Sequence, residues 1–478
     1  MDDRSEKFCI IGAGSSGIAA AKNFLAAGIP FDCLEREDDI GGNWYFGAPC
    51  SRVYASTHLV SSKVLTEYSD FPMPQEWPEY PSHRQALRYL REYARAFGLY
   101  ERIEFGTGVE RVEPAGGFGV QGSGGSGTQS GPLGVPRGDR VRPRGDSCGR
   151  LSGRLGVPRR DLAQGWIVRL ANGEERRYRG VVIANGHNWD PRWPEYPGEF
   201  TGEAIHSAQF KTGDVLRGQR VLVVGGGNSG CDIACEAALH AESAVLSTRR
   251  AYHVLPKFFR GRPIDQCNEL LLWLRVPLWA RRAAGAVVGH VALGPAWRTG
   301  VPRPDHRLFE SHPILNSQIH HHVGHGRLAL RPDVKRFDGQ RVEFVEGSSA
   351  EFDLVIYATG YRVTIPFIDR AHLNWQGEAP RLFMNVFHPE RDDLFCIGLI
   401  QPDSGQFGLV DYQAKLVASY LTAIEKSPAR AEKFRRLKSS AGTDLGSGMR
   451  YVSSPRHTLE VEHYSYRRRL QKLAASLR

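Results

Sequence analysis

The apolar positions change period along the chain, and the changes mark its elements. Phe8-Cys-Ile-Ile11 is a short continuous apolar run that predicts a buried strand. Ile18 to Ala27 follows at helical spacing and stops at Gly28, and Phe31-Asp-Cys-Leu-Glu35 returns to strand. The order recurs in Val221-Leu-Val-Val224, a helix running to about His240, and the strand Ala244-Val-Leu246. Two more apolar strands, Gly180–Gly186 and Asp353–Tyr361, share one form, since each ends in Ala-x-Gly. Ser82-x-x-Gln85 is a capping box ahead of Leu87, Leu90, Tyr93, Ala94 and Phe97 at helical spacing, with Gly98 as the stop. Thr107 to Val112 and Trp166 to Leu170 read as strands, and Asn172-Gly173 as a hairpin turn. Pro380 to Ile400 reads as strands, Asp411 to Lys426 as a helix, and Arg467 to Arg478 as a basic helix, whereas Tyr54 to Pro74 has no clean period.

Each strand–helix–strand unit carries a glycine turn where strand passes into helix. In Gly12-x-Gly14-Ser15-Ser16-Gly17 the first glycine permits the tight turn, the second lets backbone approach a pyrophosphate, and the third lets helix and strand pack closely. The helix N-terminus adds N–H groups and partial positive charge. Glu35, 18 residues after Gly17, is placed to accept from both ribose hydroxyls. Gly225-x-Gly227-Asn228-Ser229-Gly230 repeats the turn, but its second strand runs into Ser247-Thr248-Arg249-Arg250. Two arginines there suit the 2′-phosphate of NADPH; the alternative is that they are only solvated. Gly41-Gly42-Asn43-Trp44 is read as backbone and aromatic lining a flavin. The expected class is α/β, with two Rossmann-like dinucleotide-binding domains. Residues 1–190 and 352–478 form an FAD-binding domain, into which an NADPH-binding domain of residues 191–351 is inserted.

Composition removes several other readings. The chain has 478 residues and a net charge of +10, carried by 51 Arg and 11 Lys without the basic stripe and interleaved aromatics of a nucleic-acid face. Residues 116–165 hold 15 Gly, eight Arg and three Asp with almost no large apolar side chain, so they predict a disordered insertion in a hairpin, or an interaction tail. The eight Cys contain no C-x-x-C; free thiols and a charged N-terminus that runs into a strand predict a reducing, cytoplasmic setting. Cys231 and Cys235 are expected to be buried on one helix face. No run reaches the roughly 20 apolar residues of a spanning helix. Leu270 to Leu293, broken by Arg275, Pro277, Arg281 and Arg282, is either a core helix pair or an amphipathic surface in peripheral contact with a membrane. His320, His321, His322 and His325 are not expected to bind metal, because consecutive histidines cannot all face one ion.

With these motifs the chain resembles the flavin-containing monooxygenases, the class B flavoprotein monooxygenases. The resemblance rests on both glycine turns, Glu35, Gly41-Gly42-x-Trp44, Ser69-Asp-Phe-Pro72, Ala358-Thr359-Gly360-Tyr361 and the linker Phe200-x-Gly202-x-x-x-His206-x-x-x-Phe210-Lys211. It covers the chain outside 116–165. It implies FAD binding by Gly12, Gly14, Ser15, Ser16, Gly17, Glu35, Arg36, Gly42, Asn43, Trp44 and Val109. It implies NADPH binding by His206, Gly225, Gly227, Asn228, Ser229, Gly230, Arg249, Arg250, Thr359 and Gly360. It also implies a cycle in which NADPH reduces the flavin, O₂ adds at C4a to give a (hydro)peroxide, and a soft nitrogen or sulfur centre of a small molecule takes one oxygen, with no acid/base side chain required. One position departs from the family pattern: Val60 stands where members commonly carry an active-site Asn, leaving Ser61 or His58 as polar substitutes. Baeyer–Villiger-type carbonyl oxygenation and uncoupled NADPH oxidation are therefore the alternatives. The Phe210-Lys211 ending favours heteroatom oxygenation, since the Baeyer–Villiger relatives end in Trp followed by Pro or Asp. A disulfide reductase would need a Cys pair at the flavin, where only Cys50 lies, and a non-enzymatic sensor would not consume NADPH.

Overall fold

The computed structural model describes residues 1–116, 165–294, 298, 300–311, 313–440, 445 and 459–478. Two sheets organise the chain. The first has seven strands. Phe31–Leu34 and Glu175–Ile183 flank the N-terminal strand Asp2–Ile11 in parallel, and Ile103–Glu104 extends one edge. Leu394–Cys396, from far down the chain, pairs in parallel with Val181–Ile183. Glu175–Ile183 also continues a meander through Trp166–Leu170 to Val109–Pro114. Pro114 pairs with Trp166, so the Gly/Arg-rich stretch leaves from the end of a hairpin as expected; the predicted insertion itself, from 117 to 164, lies outside the described residues.

The second sheet is five parallel strands in the order Ala329–Arg331, Ser243–Ser247, Arg220–Val224, Leu354–Tyr357, Glu203–His206. This corrects the expected boundary at 351/352. Leu354–Tyr357 is not part of the returning first domain; it sits inside the second sheet, against Val221–Val224 and Glu203–His206. Buried on both faces, it reads as a continuous apolar run from either domain, so its pattern alone does not say which sheet it joins. The two segments that connect the sheets pair with each other, Tyr361 with Pro191 and Arg362 with Asp190.

The core of the first domain lies between its sheet, the helix Ser15–Ala26 and the long helix Phe407–Lys426. Helix His83–Ala96 begins with the expected capping box and packs Leu87, Leu90, Tyr93 and Ala94 inward. Cys231 and Cys235 are buried in the second core. The stretch 270–293 forms helices Ile264–Trp273 and Leu278–Leu293, but not a core pair. Leu270, Trp273, Leu274, Trp279, Val287 and Val291 are all more than half exposed, and Asp265 and Arg281 are the buried side chains. The apolar face has no sheet to close on. Among the described residues, no helix is long and apolar enough to cross a membrane.

Candidate active site

The two glycine turns are built alike down to single atoms. Gly12 and Gly225 have φ of +100° and +118°, the region that favours glycine. A Cβ on Gly12 would meet the Ala184 carbonyl at 2.9 Å, and one on Gly225 the Ala358 carbonyl at 2.4 Å. A Cβ on Gly17 would fall 1.7 Å from the Gly12 carbonyl, and one on Gly230 1.8 Å from that of Gly225. Each turn is thus wedged between the helix it opens and an Ala-x-Gly crossing turn, which explains why both crossing strands end in a small residue.

The first turn fits the adenosine and pyrophosphate of FAD. Gly14 and Gly42 face each other across the cleft, and a Cβ on Gly42 would lie 3.1 Å from Gly14 Cα, leaving bare backbone where a phosphate must approach. Glu35 is buried at the end of Phe31–Leu34. Its Oε2 accepts from the Ala13 N–H at 2.5 Å and its Oε1 from the Glu37 N–H at 3.0 Å. Each oxygen keeps a lone pair for a ribose hydroxyl. Burial raises the Glu35 carboxyl above the usual range, and the two N–H donors oppose that rise. Arg36 is exposed and pairs with Glu37, while its stem passes Gly108, next to the half-buried Val109. Half-buried Trp44 meets Phe407 edge-to-face at 6.0 Å, and the Asn43 amide oxygen accepts from the Arg52 N–H at 2.7 Å.

The Ser69-Asp-Phe-Pro72 motif holds this half together. Ser69 Oγ donates to Asp411 at 2.6 Å, Asp70 pairs with Lys22, and Tyr68 OH donates to the Ser15 carbonyl at 2.7 Å. Asp411 is fully buried and also accepts from Asn23 and Lys415, which together hold its carboxyl below the usual range against burial. The motif thereby fixes the first helix at its Ser15 end.

In the second half, helix Asn228–His240 opens at Gly227, and Asn228 and Ser229 are half-buried. The ring of Tyr252 covers this turn, since a Cβ on Gly226 would lie 2.9 Å from it. The two arginines differ. Arg250 is exposed but tied to Asp305 at 2.7 Å, whereas exposed Arg249 makes no ion pair among the described residues. Thr359 and Gly360 serve the connection: the Thr359 hydroxyl donates to the Arg192 carbonyl and the Arg192 N–H donates to the Gly360 carbonyl at 3.0 Å.

His206 is fully buried between Trp193 and Tyr361. Its Nδ1 accepts from the Ala208 N–H at 3.1 Å, so the neutral ring carries its proton on Nε2. Burial pushes the imidazole down to about 4, against a smaller upward pull from the Gly360 backbone. Beyond it, Phe210 stacks edge-to-face on Tyr54 at 5.5 Å, and Lys211 donates to the Ser51 and Val53 carbonyls.

The structure does not bring His58, Val60 and Ser61 to one point. His58 is exposed and bonded to the Ser56 carbonyl, and Ser61 Oγ faces Thr66 at 3.0 Å. Val60 packs against the cluster of Leu255, Leu308 and Leu315, all from the excursion that follows Arg250. Next to it, the Ser62 N–H donates to Asp265 at 2.7 Å and Tyr80 OH to the Lys257 carbonyl at 2.7 Å. Asp265, Tyr252 and Arg52 were not singled out from the sequence. Their partners lie far away along the chain, so no local pattern marks them.

A fold with two dinucleotide seats facing across a linker defines a pyridine-nucleotide-dependent flavoprotein. The model of the flavin-binding monooxygenase-like family matches residues 5–131 and 167–473, and the chain belongs to that family. It is 32% identical to indole-3-pyruvate monooxygenase YUCCA1 of Oryza sativa subsp. japonica, over 78% of this chain and 79% of that one. It is 28% identical to dimethylaniline monooxygenase [N-oxide-forming] 2 of Rattus norvegicus, over 89% of this chain and 75% of that one. A structure of cyclohexanone monooxygenase with ε-caprolactone shares the fold, with a TM-score of 0.67 and 18% identity over 99% of this chain and 98% of that one. The protein is an FAD- and NADPH-dependent monooxygenase. When bound, the flavin accepts hydride from NADPH and activates O₂.

Proposed function

We propose that the chain oxygenates a soft nitrogen or sulfur centre of a small molecule. The observation that carries this reading is the linker end. Phe210 is locked on Tyr54 and the Lys211 ammonium on the Ser51 and Val53 carbonyls, which fixes how the second domain meets the flavin turn. A lone pair on nitrogen or sulfur attacks without first losing a proton, so a site without a catalytic acid or base suffices. The relative named for N-oxide formation supports the same reading. We assign FAD to the Gly12–Gly17 turn with Glu35, Gly42, Asn43 and Trp44, and NADPH to the Gly225–Gly230 turn with Arg249. The NADPH domain then runs from about residue 191 to Tyr361, with the FAD domain on either side.

Val60 favours a second reading. Its apolar surroundings offer no hydrogen bond to an oxygenated flavin, and carbonyl oxygenation fits the relative named for a 2-oxo acid. The test is to mix NADPH-reduced enzyme with O₂ and follow flavin reoxidation with a sulfide, a tertiary amine or a ketone present. Sulfoxide or N-oxide formed in step with NADPH supports the first reading; ester formed from the ketone alone replaces it with the second.

The excursion 264–293 supports a peripheral membrane contact. Trp273, Leu274, Trp279, Val287 and Val291 are exposed, Arg275 lies among them, and residues 270–293 contain no Asp or Glu. Such a surface suits an anionic bilayer. Co-sedimentation with phosphatidylserine vesicles that survives Trp273→Ser with Trp279→Ser would refute this contact.

A further inference from the structure

The two arginines that follow the second nucleotide strand serve different neighbours. Ser243–Ser247 ends, Thr248 follows, and the charge of Arg249 is felt by Tyr196. Arg250 instead gives its Nε–H to Asp305 Oδ2 at 2.7 Å, on the segment that follows helix Leu278–Leu293. That segment abuts the nucleotide turn. Tyr252, whose ring covers Gly226, also meets the His306 ring edge-to-face at 6.4 Å.

Asp305 is pinned from the inside. Its Oδ1 faces His306 Nδ1 at 2.9 Å, and the His306 side chain is only 4% exposed. A carboxylate only accepts, so the imidazole carries a proton on Nδ1. The His306 carbonyl in turn accepts from His253 Nε2 at 2.8 Å, and the two rings meet edge-to-face at 5.2 Å. Hydrogen bonds, first from His306 and then from Arg250, hold the Asp305 carboxyl below the usual range, so it is charged at neutral pH. An acid beside a phosphate-reading arginine either orients the guanidinium or cancels its charge. The side chains of Arg250 and Asp305 are 43% and 55% exposed, and an ion pair so open to solvent orients its members weakly. The negative charge, by contrast, is fixed in place by His306. A 2′-phosphate that approaches Arg250 therefore meets a pair without net charge.

We propose that Asp305 sets the nucleotide selectivity of this chain by neutralising Arg250. Discrimination between NADPH and NADH then rests on Arg249 alone, and it is weaker than two arginines would give. This rests on the assignment of the second turn to NADPH.

The test is steady-state oxidation of NADPH and, separately, of NADH by FAD-loaded enzyme. Asp305→Asn keeps an acceptor for His306 and removes the charge. It is expected to lower the KM for NADPH about fivefold, the most that a half-exposed ion pair carries, and to leave the KM for NADH within about twofold. Added salt shrinks the gain, because it comes from exposed charges. Arg250→Ala on top of Asp305→Asn abolishes it, and Asp305→Glu, which keeps the charge, stays near wild type. An unchanged NADPH KM in Asp305→Asn overturns the proposal, and so does a raised one, which would show that Asp305 orients Arg250 instead. A gain that survives Arg250→Ala, or that NADH shares, also overturns it, since the segment would then have shifted as a whole. Selectivity that ignores Arg249→Ala as well as Asp305→Asn would overturn the placement of the 2′-phosphate at this corner, and with it the NADPH assignment itself.

Discussion

Gly17→Ala and Gly230→Ala place the same methyl group at equivalent points of the two seats and separate their cofactors. Neither glycine has positive φ, so space alone decides the outcome. The new Cβ would stand 1.7 Å from the Gly12 carbonyl in one case and 1.8 Å from the Gly225 carbonyl in the other, well inside the 3.0 Å that real Cβ atoms keep. The obstacle is backbone in both cases and cannot rotate away, so the helix must move off its turn. Overpacking costs about 1–3 kcal/mol where neighbours can give, and a rigid backbone neighbour puts these sites at the upper end, about 100-fold in affinity. Gly17→Ala should therefore purify with little FAD and need excess FAD for reconstitution. Gly230→Ala should keep its full flavin while its NADP⁺ dissociation constant rises about 100-fold. Flavin absorbance per chain and NADP⁺ titration measure the two effects. Full flavin in Gly17→Ala, or normal NADP⁺ binding in Gly230→Ala, would refute the assignment of that turn.

Arg249→Ala should raise the KM for NADPH about tenfold and leave that for NADH unchanged, and Arg250→Ala should do less because Asp305 already neutralises Arg250; steady-state kinetics with both nucleotides decide. Val60→Asn should lower the H₂O₂ released per NADPH consumed, and an unchanged ratio would show that Val60 does not border the flavin. His187 is buried, and burial pushes its imidazole down to about 4. Between pH 6.5 and 4 the unfolded chain binds the proton and the folded chain does not, so this contribution to stability is whole above pH 6.5 and is lost on acidification, on the order of 2 kcal/mol by pH 5. Melting temperatures of wild type and His187→Gln across that window should converge toward acid.

Strand–helix–strand units, glycine turns and capped helices were legible because their signals are local. Gly17 and Ser82 act on Gly12 and Gln85, within one or two turns of chain, and the positive φ of Gly12 is itself a local demand of the turn. The ownership of Leu354–Tyr357 was not legible, because a strand buried on both faces carries the same apolar code in either sheet. The stretch 270–293 has the composition of a core pair, yet no partner element covers it, and composition does not report that absence. Arg52, Asp265 and Tyr252 escaped notice for a different reason: they act on Trp189, Ser62 and the turn at Gly226, residues distant along the chain that only folding brings near.

The short ribbon of Asp190–Pro191 and Tyr361–Arg362 constrains how the protein can move. A body joined by one strand can swivel about every axis of its tether, whereas two strands bonded side by side act as a door hinge. Twisting would shear the bonds between them, whereas bending across the ribbon strains them less, so the ribbon resists rotation of one sheet about the connection more than it resists bending.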